Sequence, residues 1–149
     1  MTACNEHHHP WRVLRDRFPH ITIDLDHELP GDRAGVWIGN TIYIDRRLTQ
    51  AARRSTIEHE VCHLDRGVLP EEPVLVAREE AIVDELAARK LITIEALVDA
   101  LRWCQGVASA EFADEVWTDR HTLNVRLATL THVERAQIAA ELANCEWMD

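Results

Sequence analysis

The segment IEHEVCH, residues 57–63, places two histidines and a glutamate at a spacing that could bind a metal ion. In a helix His59 and His63 lie one turn apart, so both imidazoles could reach the same ion. Zinc binds neutral imidazole nitrogens and lowers the pKa of bound water toward neutrality. Glu60 directly follows the first histidine and could accept a proton from that water. The spacing therefore predicts a zinc site able to support hydrolysis.

The rest of this helix indicates that the histidines face an enclosed surface. On a helical projection they share a face with small residues, Ala52 and Thr56, which would let a second helix approach closely. Glu58 falls on a separate polar side. A surface helix in a chain with nine histidines could contain the same pattern by chance. A zinc site therefore requires a third ligand from elsewhere.

That third ligand is expected on the next helix. Arg66 and Leu69 occupy the positions where the extended pattern HExxHxxGxxH has its glycine and third histidine. The helix-forming stretch VLVAREEAIVDELAARKLI presents Glu80 and Asp84 one turn apart among small and apolar residues, where unpaired acids would be costly to bury. We expect Glu80 to bind zinc and Asp84 to accept a hydrogen bond from a ligand histidine. Glu79 is the second choice for the ligand.

The elements that must position these residues predict an α+β fold. HITIDLDHEL has the alternation of a strand, and VWIGNTIYID contains two strands joined by Gly39 and Asn40. We expect a small three-stranded antiparallel sheet packed on the zinc-binding helix, with additional C-terminal helices. Thr131 begins a predicted capping box ahead of the last helix. The expected N-caps of the other helices are Thr49, Thr93, Ser109 and Asp119.

Length and composition favour one soluble domain. The 149 residues are 46% hydrophobic and 28% charged, and no long uncharged run could cross a bilayer. We divide the chain into an N-terminal segment with a short helix (1–19), a metal-binding core (20–105) and a helical C-terminal subdomain (106–149). The N-terminus lacks a secretory signal and the four cysteines form no CxxC pair. These features predict a cytoplasmic protein with free thiols.

Taken together, these features resemble the ImmA/IrrE family of zinc metallopeptidases over roughly residues 20–130. The similarity consists of strand-turn-strand, the segment RRLTQAARRSTIEHEVCHLDRG, and a helix with Glu80, Asp84 and LAARKLI. In that family two motif histidines and a glutamate of the following helix bind zinc, and the motif glutamate is the general base. The resemblance implies one Zn²⁺ and these same roles for His59, His63, Glu80 and Glu60.

The resemblance also implies a substrate. Family members cleave helix-turn-helix repressors that control mobile-element or stress-response genes, so we expect a zinc metalloendopeptidase acting on a phage-type repressor or similar regulatory protein. An edge strand at residues 35–38 could hold an extended substrate segment by strand addition. A zinc-holding interaction protein without peptidase activity is one alternative. A DNA-binding regulator is the other.

The DNA-binding alternative depends on the stretch EFADEVWTDRHTLNVRLATL, which resembles a helix-turn-helix motif. Arg120 and Arg126 are its candidate DNA contacts. The surrounding residues 109–130 contain four acids and two arginines, and the whole chain has a formal net charge of -10. That charge repels phosphate backbones and favours a partner with basic segments. Direct nucleic-acid binding is therefore disfavoured.

Other histidines and the tryptophans receive weaker assignments. His7, His8 and His9 are expected to form an incidental polar tail, so they are left out of the site. His121 and His132 could reach the cleft and stabilise an oxyanion, although a histidine near a helix cap usually faces solvent. The five tryptophans are scattered along the chain and are expected to pack inside the protein.

Overall fold

The computed structural model describes residues 7–67, 69–104 and 110–144. This part of the chain contains seven α-helices and three β-strands. The helices are α1 (Pro10–Arg17), α2 (Gln50–Arg66), α3 (Pro73–Leu91), α4 (Ile94–Cys104), α5 (Ala110–Glu115), α6 (Arg120–Ala128) and α7 (His132–Ala143), and the strands are β1 (Thr22–Asp24), β2 (Gly35–Ile38) and β3 (Thr41–Ile44). Among the described helices, none combines the length and apolarity needed to span a membrane. The predicted N-cap Ser109 lies outside the described residues.

The sheet is mixed, so the prediction of an antiparallel sheet is wrong for β1. The strand order is β1-β3-β2; β2 pairs with β3 antiparallel, whereas β1 pairs with β3 in parallel. The predicted turn at Gly39, where φ is 61°, joins β2 to β3 directly. β1 precedes a longer connection, residues 25–34, and pairs with the opposite edge of β3. Alternation in a sequence marks a strand but does not determine the direction of its partner.

Helix α2 packs its apolar stripe on the sheet. Ile57 and Val61 of α2 and Ile42 and Ile44 of β3 have no exposed surface, and Leu14 of α1 joins the same cluster. Each of these side chains contributes roughly 1.5 to 3 kcal/mol by leaving water. The burial of this stripe orients α2, so that the opposite face of the helix points toward α3.

The last four helices share a second apolar cluster with the end of α3. Leu97 of α4, Phe112 of α5 and Leu123 of α6 are essentially fully buried in it. The predicted capping box is confirmed, because Thr131 Oγ1 accepts from the Glu134 amide at 3.1 Å and the Glu134 carboxylate accepts from the Thr131 amide at 3.0 Å. The C-terminal helices are therefore joined to the remainder of the fold by packing.

Arg126, one of the two arginines considered for DNA contact, is buried in these helices. Only 3% of it is exposed, and its guanidinium donates to the Ile92 carbonyl and to Glu134, both at 2.8 Å. The hydrogen bond from Arg126, with smaller contributions from the Thr131 amide and Arg89, holds the pKa of the Glu134 carboxyl down to about 2 against the opposing effect of burial. The side chain of Arg126 is therefore engaged inside the protein and is not free to contact a base.

The tryptophans do not all pack inside the protein. Trp37, Trp103 and Trp117 are 38%, 80% and 47% exposed, so the prediction of interior packing is wrong for these three. Trp11 does pack against the cluster beneath α1 and α2, and Trp147 lies outside the described residues. Trp117 also has a positive φ of 61°, a conformation that is costly for a bulky residue and requires support from its surroundings.

Candidate metal centre

Helices α2 and α3 bring the candidate ligands together. Thr49 caps α2 as predicted, accepting from the Ala52 amide at 3.2 Å, and the helix ends at Gly67, where φ is 92°. Pro73 begins α3 without needing an amide partner. Between the two helices lies a small cluster of Cys62, Val83 and Ala87, whose modest size allows a close approach. The histidine face of α2 is thereby directed at the acidic residues of α3.

The three predicted ligands converge on one point. His59 Nε2 and His63 Nε2 are 3.1 Å apart. Glu80 Oε2 lies 3.0 Å from His59 Nε2, and Glu80 Oε1 lies 3.1 Å from His63 Nε2. Within the described residues these three side chains form a group able to hold a metal ion.

Asp84 lies directly behind the first histidine. Its Oδ1 is 3.0 Å from His59 Nδ1, close enough to accept the proton of that nitrogen. A proton on Nδ1 leaves the Nε2 lone pair of His59 facing Glu80 and His63. The lone pair of His59 Nε2 then lies close to the Glu80 carboxylate and to His63 Nε2. A cation bound by all three groups would offset the repulsion between their lone pairs. The donor set therefore fits a metal ion.

Glu79, the second choice for the third ligand, points elsewhere. Its carboxylate forms a bidentate ion pair with Arg66 at the end of α2, with a 3.0 Å bond from Nη2 to Oε2. The hydrogen bond from Arg66 lowers the pKa of the Glu79 carboxyl and outweighs the effect of its desolvation. The register of α3 thus directs Glu80, and not Glu79, at the histidines.

Glu60 borders a cleft of about 940 Å³ that also contains the candidate ligands. The opposite wall includes Gly35 and Trp37 of β2. Burial raises the pKa of the Glu60 carboxyl, while the nearby imidazoles of His59 and His63 act in the opposite direction. A partly buried carboxylate beside the histidine pair is positioned to exchange protons with a molecule bound in the cleft.

A second, smaller cavity of about 300 Å³ is also lined by His59 and Glu80. Asp84 of α3 and His121 of α6 line it together, and their side chains meet at 3.1 Å between His121 Nε2 and Asp84 Oδ2. His132, the other histidine considered for oxyanion stabilisation, is exposed at the start of α7. The C-terminal helices thus contribute a residue to the surroundings of the candidate ligands.

Sequence reasoning missed the environment of Glu58. The helical period places this residue on the polar side of α2, yet it has no exposed surface. His8 Nε2 lies 2.6 Å from its carboxylate, and Lys90 Nζ lies 3.8 Å away. His7 stacks on Trp117, with ring centroids 3.8 Å apart. The expectation of an incidental tail is therefore wrong for His7 and His8, because His7 stacks on Trp117 and His8 supplies the nearest partner of a buried carboxylate.

His8→Ala is expected to lower the free energy of unfolding by on the order of 2 kcal/mol, because it leaves the buried Glu58 carboxylate without its short hydrogen bond. Urea denaturation followed by circular dichroism measures the effect. Adding Glu58→Gln should recover part of the loss, since a neutral amide is cheaper to bury. His20→Ala, at an exposed histidine, is the control. Equal stability of His8→Ala and the unmodified protein would contradict the role of His8.

Neither protein-family models, curated proteins nor solved structures give a match to this chain. The functional conclusion therefore depends on the arrangement of the residues themselves. That arrangement defines a class of site: a His-His-Glu group on two packed helices, with an adjacent carboxylate in an open cleft.

Proposed function

We propose that the protein is a zinc-dependent endopeptidase that cleaves a helix-turn-helix type repressor or a similar regulatory protein. The observation that carries this proposal is the convergence of His59, His63 and Glu80 on one point, with donor atoms 3.0 to 3.1 Å apart. Two ligands of a tetrahedral zinc ion, each at about 2.0 to 2.1 Å, lie about 3.3 Å from each other. The observed distances are close to that value and are compatible with zinc, and the ligand set is the one implied by the resemblance to the ImmA/IrrE family.

The residues have separate tasks in this proposal. His59, His63 and Glu80 would hold the zinc ion. The ion would act as a Lewis acid and lower the pKa of bound water. Asp84, whose Oδ1 lies 3.0 Å from His59 Nδ1, would orient the imidazole with Nε2 toward the zinc ion. Glu60 accepts a proton from the attacking water and returns it to the leaving amine.

The edge of the sheet offers a place for the substrate. Among the described strands β2 pairs only with β3, so its other edge is not paired with a strand, and Gly35 and Trp37 of β2 line the cleft that contains Glu60. An extended peptide could add to this edge as a further strand. Trp37 and Leu69, which are 38% and 40% exposed, border the same cleft and favour apolar side chains in the substrate.

The closeness of β2 to α2 supports this arrangement. A Cβ atom at Gly35 would lie 3.0 Å from Thr56 Cγ2 on the histidine face of α2 and 3.3 Å from Ile44 Cδ1. Only glycine allows this approach without a shift of its neighbours. The substrate-binding edge and the metal-binding helix are therefore held side by side.

Cleavage of a helix-turn-helix type repressor tests the proposal. The zinc-loaded protein is expected to cut the repressor, or peptides in a mixed-sequence library, at discrete bonds that mass spectrometry identifies. Removing zinc with 1,10-phenanthroline should stop cleavage, and added zinc should restore it. A protein that binds zinc and the repressor but cuts nothing would instead be an interaction protein. An electrophoretic shift of operator DNA that persists in the presence of chelator would favour the DNA-binding regulator. The burial of Arg126 is an argument against that alternative.

A further inference from the structure

We propose that His121 of α6 is a positioning residue of the metal centre and acts on the ligand His59 through Asp84. The inference rests on the metal-binding part of the proposed function and is independent of peptidase activity. Asp84 Oδ2 lies 3.1 Å from His121 Nε2, while Asp84 Oδ1 lies 3.0 Å from His59 Nδ1. One carboxylate therefore joins two histidines that belong to different helices, and each oxygen has its own partner.

Two partners hold a carboxylate more firmly than one. The terminal torsion of an aspartate is broad, so a single hydrogen bond leaves the carboxylate able to rotate. The hydrogen bond from His121 Nε2 to Oδ2 restricts that rotation and keeps Oδ1 within 3.0 Å of His59 Nδ1. Some residues do not bind the metal themselves but orient a ligand histidine. Replacing such a residue typically lowers metal affinity 10-fold to 100-fold. His121 contributes to this orientation from one step farther away.

The start of α6 is itself anchored to α2. Asp119 caps α6 by accepting from the Thr122 amide at 2.8 Å, and its own amide donates to Ser55 Oγ of α2 at 3.1 Å. Arg54, also on α2, donates from Nη1 to the Trp117 carbonyl at 2.9 Å. The first turn of α6 is thereby held against the helix that contains His59. These bonds keep the start of α6, and with it His121, close to α2.

This geometry gives the C-terminal helices a part in metal binding. His121 has 69% of its side chain exposed, and an exposed histidine-carboxylate pair adds little to folding stability. A role confined to stability would therefore be nearly invisible on removal of the imidazole. A positioning role, in contrast, predicts weaker zinc binding by a protein that remains equally stable without metal.

Zinc affinity of His121 variants tests the proposal on the full-length protein. The zinc dissociation constant is measured by competition with a chromophoric chelator, and the metal-free unfolding midpoint is measured in parallel. His121→Ala is expected to bind zinc several-fold to about tenfold more weakly, with an unchanged metal-free midpoint. His121→Gln should recover most of the affinity, because its amide nitrogen can occupy the place of Nε2 and donate to Asp84. His132→Ala, which removes an exposed histidine of α7, should bind zinc normally.

A double-mutant cycle identifies the route of the effect. If His121 acts through Asp84, His121→Ala should cause no further loss of zinc affinity in an Asp84→Ala background. Unchanged affinity in His121→Ala, additive losses in the double variant, or a parallel fall in metal-free stability would each overturn the proposal. The readout does not involve cleavage, so a protein that binds zinc but cuts no substrate would refute the peptidase function and leave this inference standing.

Discussion

Glu60→Gln is expected to abolish cleavage while zinc binding remains intact. Glutamine has nearly the same shape but cannot accept a proton from water, and loss of a general base typically costs 10²-fold to 10⁴-fold in rate. Because Glu60 borders the cleft and is not one of the three converging groups, its replacement should leave zinc content unchanged. Cleavage rates on the repressor and zinc content by atomic absorption measure the two outcomes separately.

The control for this variant is Glu95→Gln, an equivalent change at an exposed residue of α4. It should cleave at the rate of the unmodified protein. Two results would oppose the assignment of Glu60 as the base: cleavage within about threefold of normal in Glu60→Gln, or loss of zinc from that variant. The first would require another proton acceptor in the cleft. The second would make Glu60 part of the metal-holding group.

Glu80→Gln is expected to weaken zinc binding by more than about 100-fold, equivalent to roughly 2.7 kcal/mol, because it replaces an anionic ligand with a neutral amide. Glu79→Gln is the matched control at the adjacent position. It removes only the exposed ion pair with Arg66 and should bind zinc normally. Isothermal titration calorimetry of the metal-free proteins distinguishes the two variants.

Thermal unfolding gives a second measurement of the same comparison. Zinc at about 100 times its dissociation constant should stabilise the unmodified protein and Glu79→Gln by about 2.7 kcal/mol. The stabilisation should be nearly absent in Glu80→Gln at the same zinc concentration. Loss of zinc binding in Glu79→Gln alone would mean that α3 is rotated so that Glu79, and not Glu80, faces the histidines. Normal binding by both variants would exclude α3 as the source of the third ligand.

Much of the candidate site could be predicted because it depends on local geometry. The spacing of His59 and His63 puts them on one face of any helix, and the caps at Thr49 and Thr131 depend on bonds to amides three residues farther on. The small residues on the histidine face also indicated that a second helix would pack there. These features depend on the period of one helix and on bonds within a few residues.

The assignment of the third ligand combined local and distant information. The helical period limited the choice to Glu80 or Glu79, which lie about 100° apart on α3. The choice between them depends on how α3 rotates against α2, and the ion pair between Glu79 and Arg66 accompanies the orientation that directs Glu80 at the histidines. That rotation is set by contacts between the two helices, including the packing of Val83 and Ala87 on Cys62.

The sequence by itself determined the histidine pair, the adjacent Glu60, the helix caps and an α+β composition, because each follows from periodicity or from bonds between near neighbours. Only the tertiary structure decided the parallel pairing of β1, the burial of Glu58 beneath His8, and the approach of His121 to Asp84. The last two contacts join residues 50 and 37 positions apart. Such contacts arise from how whole elements dock, which depends on the summed packing of many side chains and leaves no local pattern.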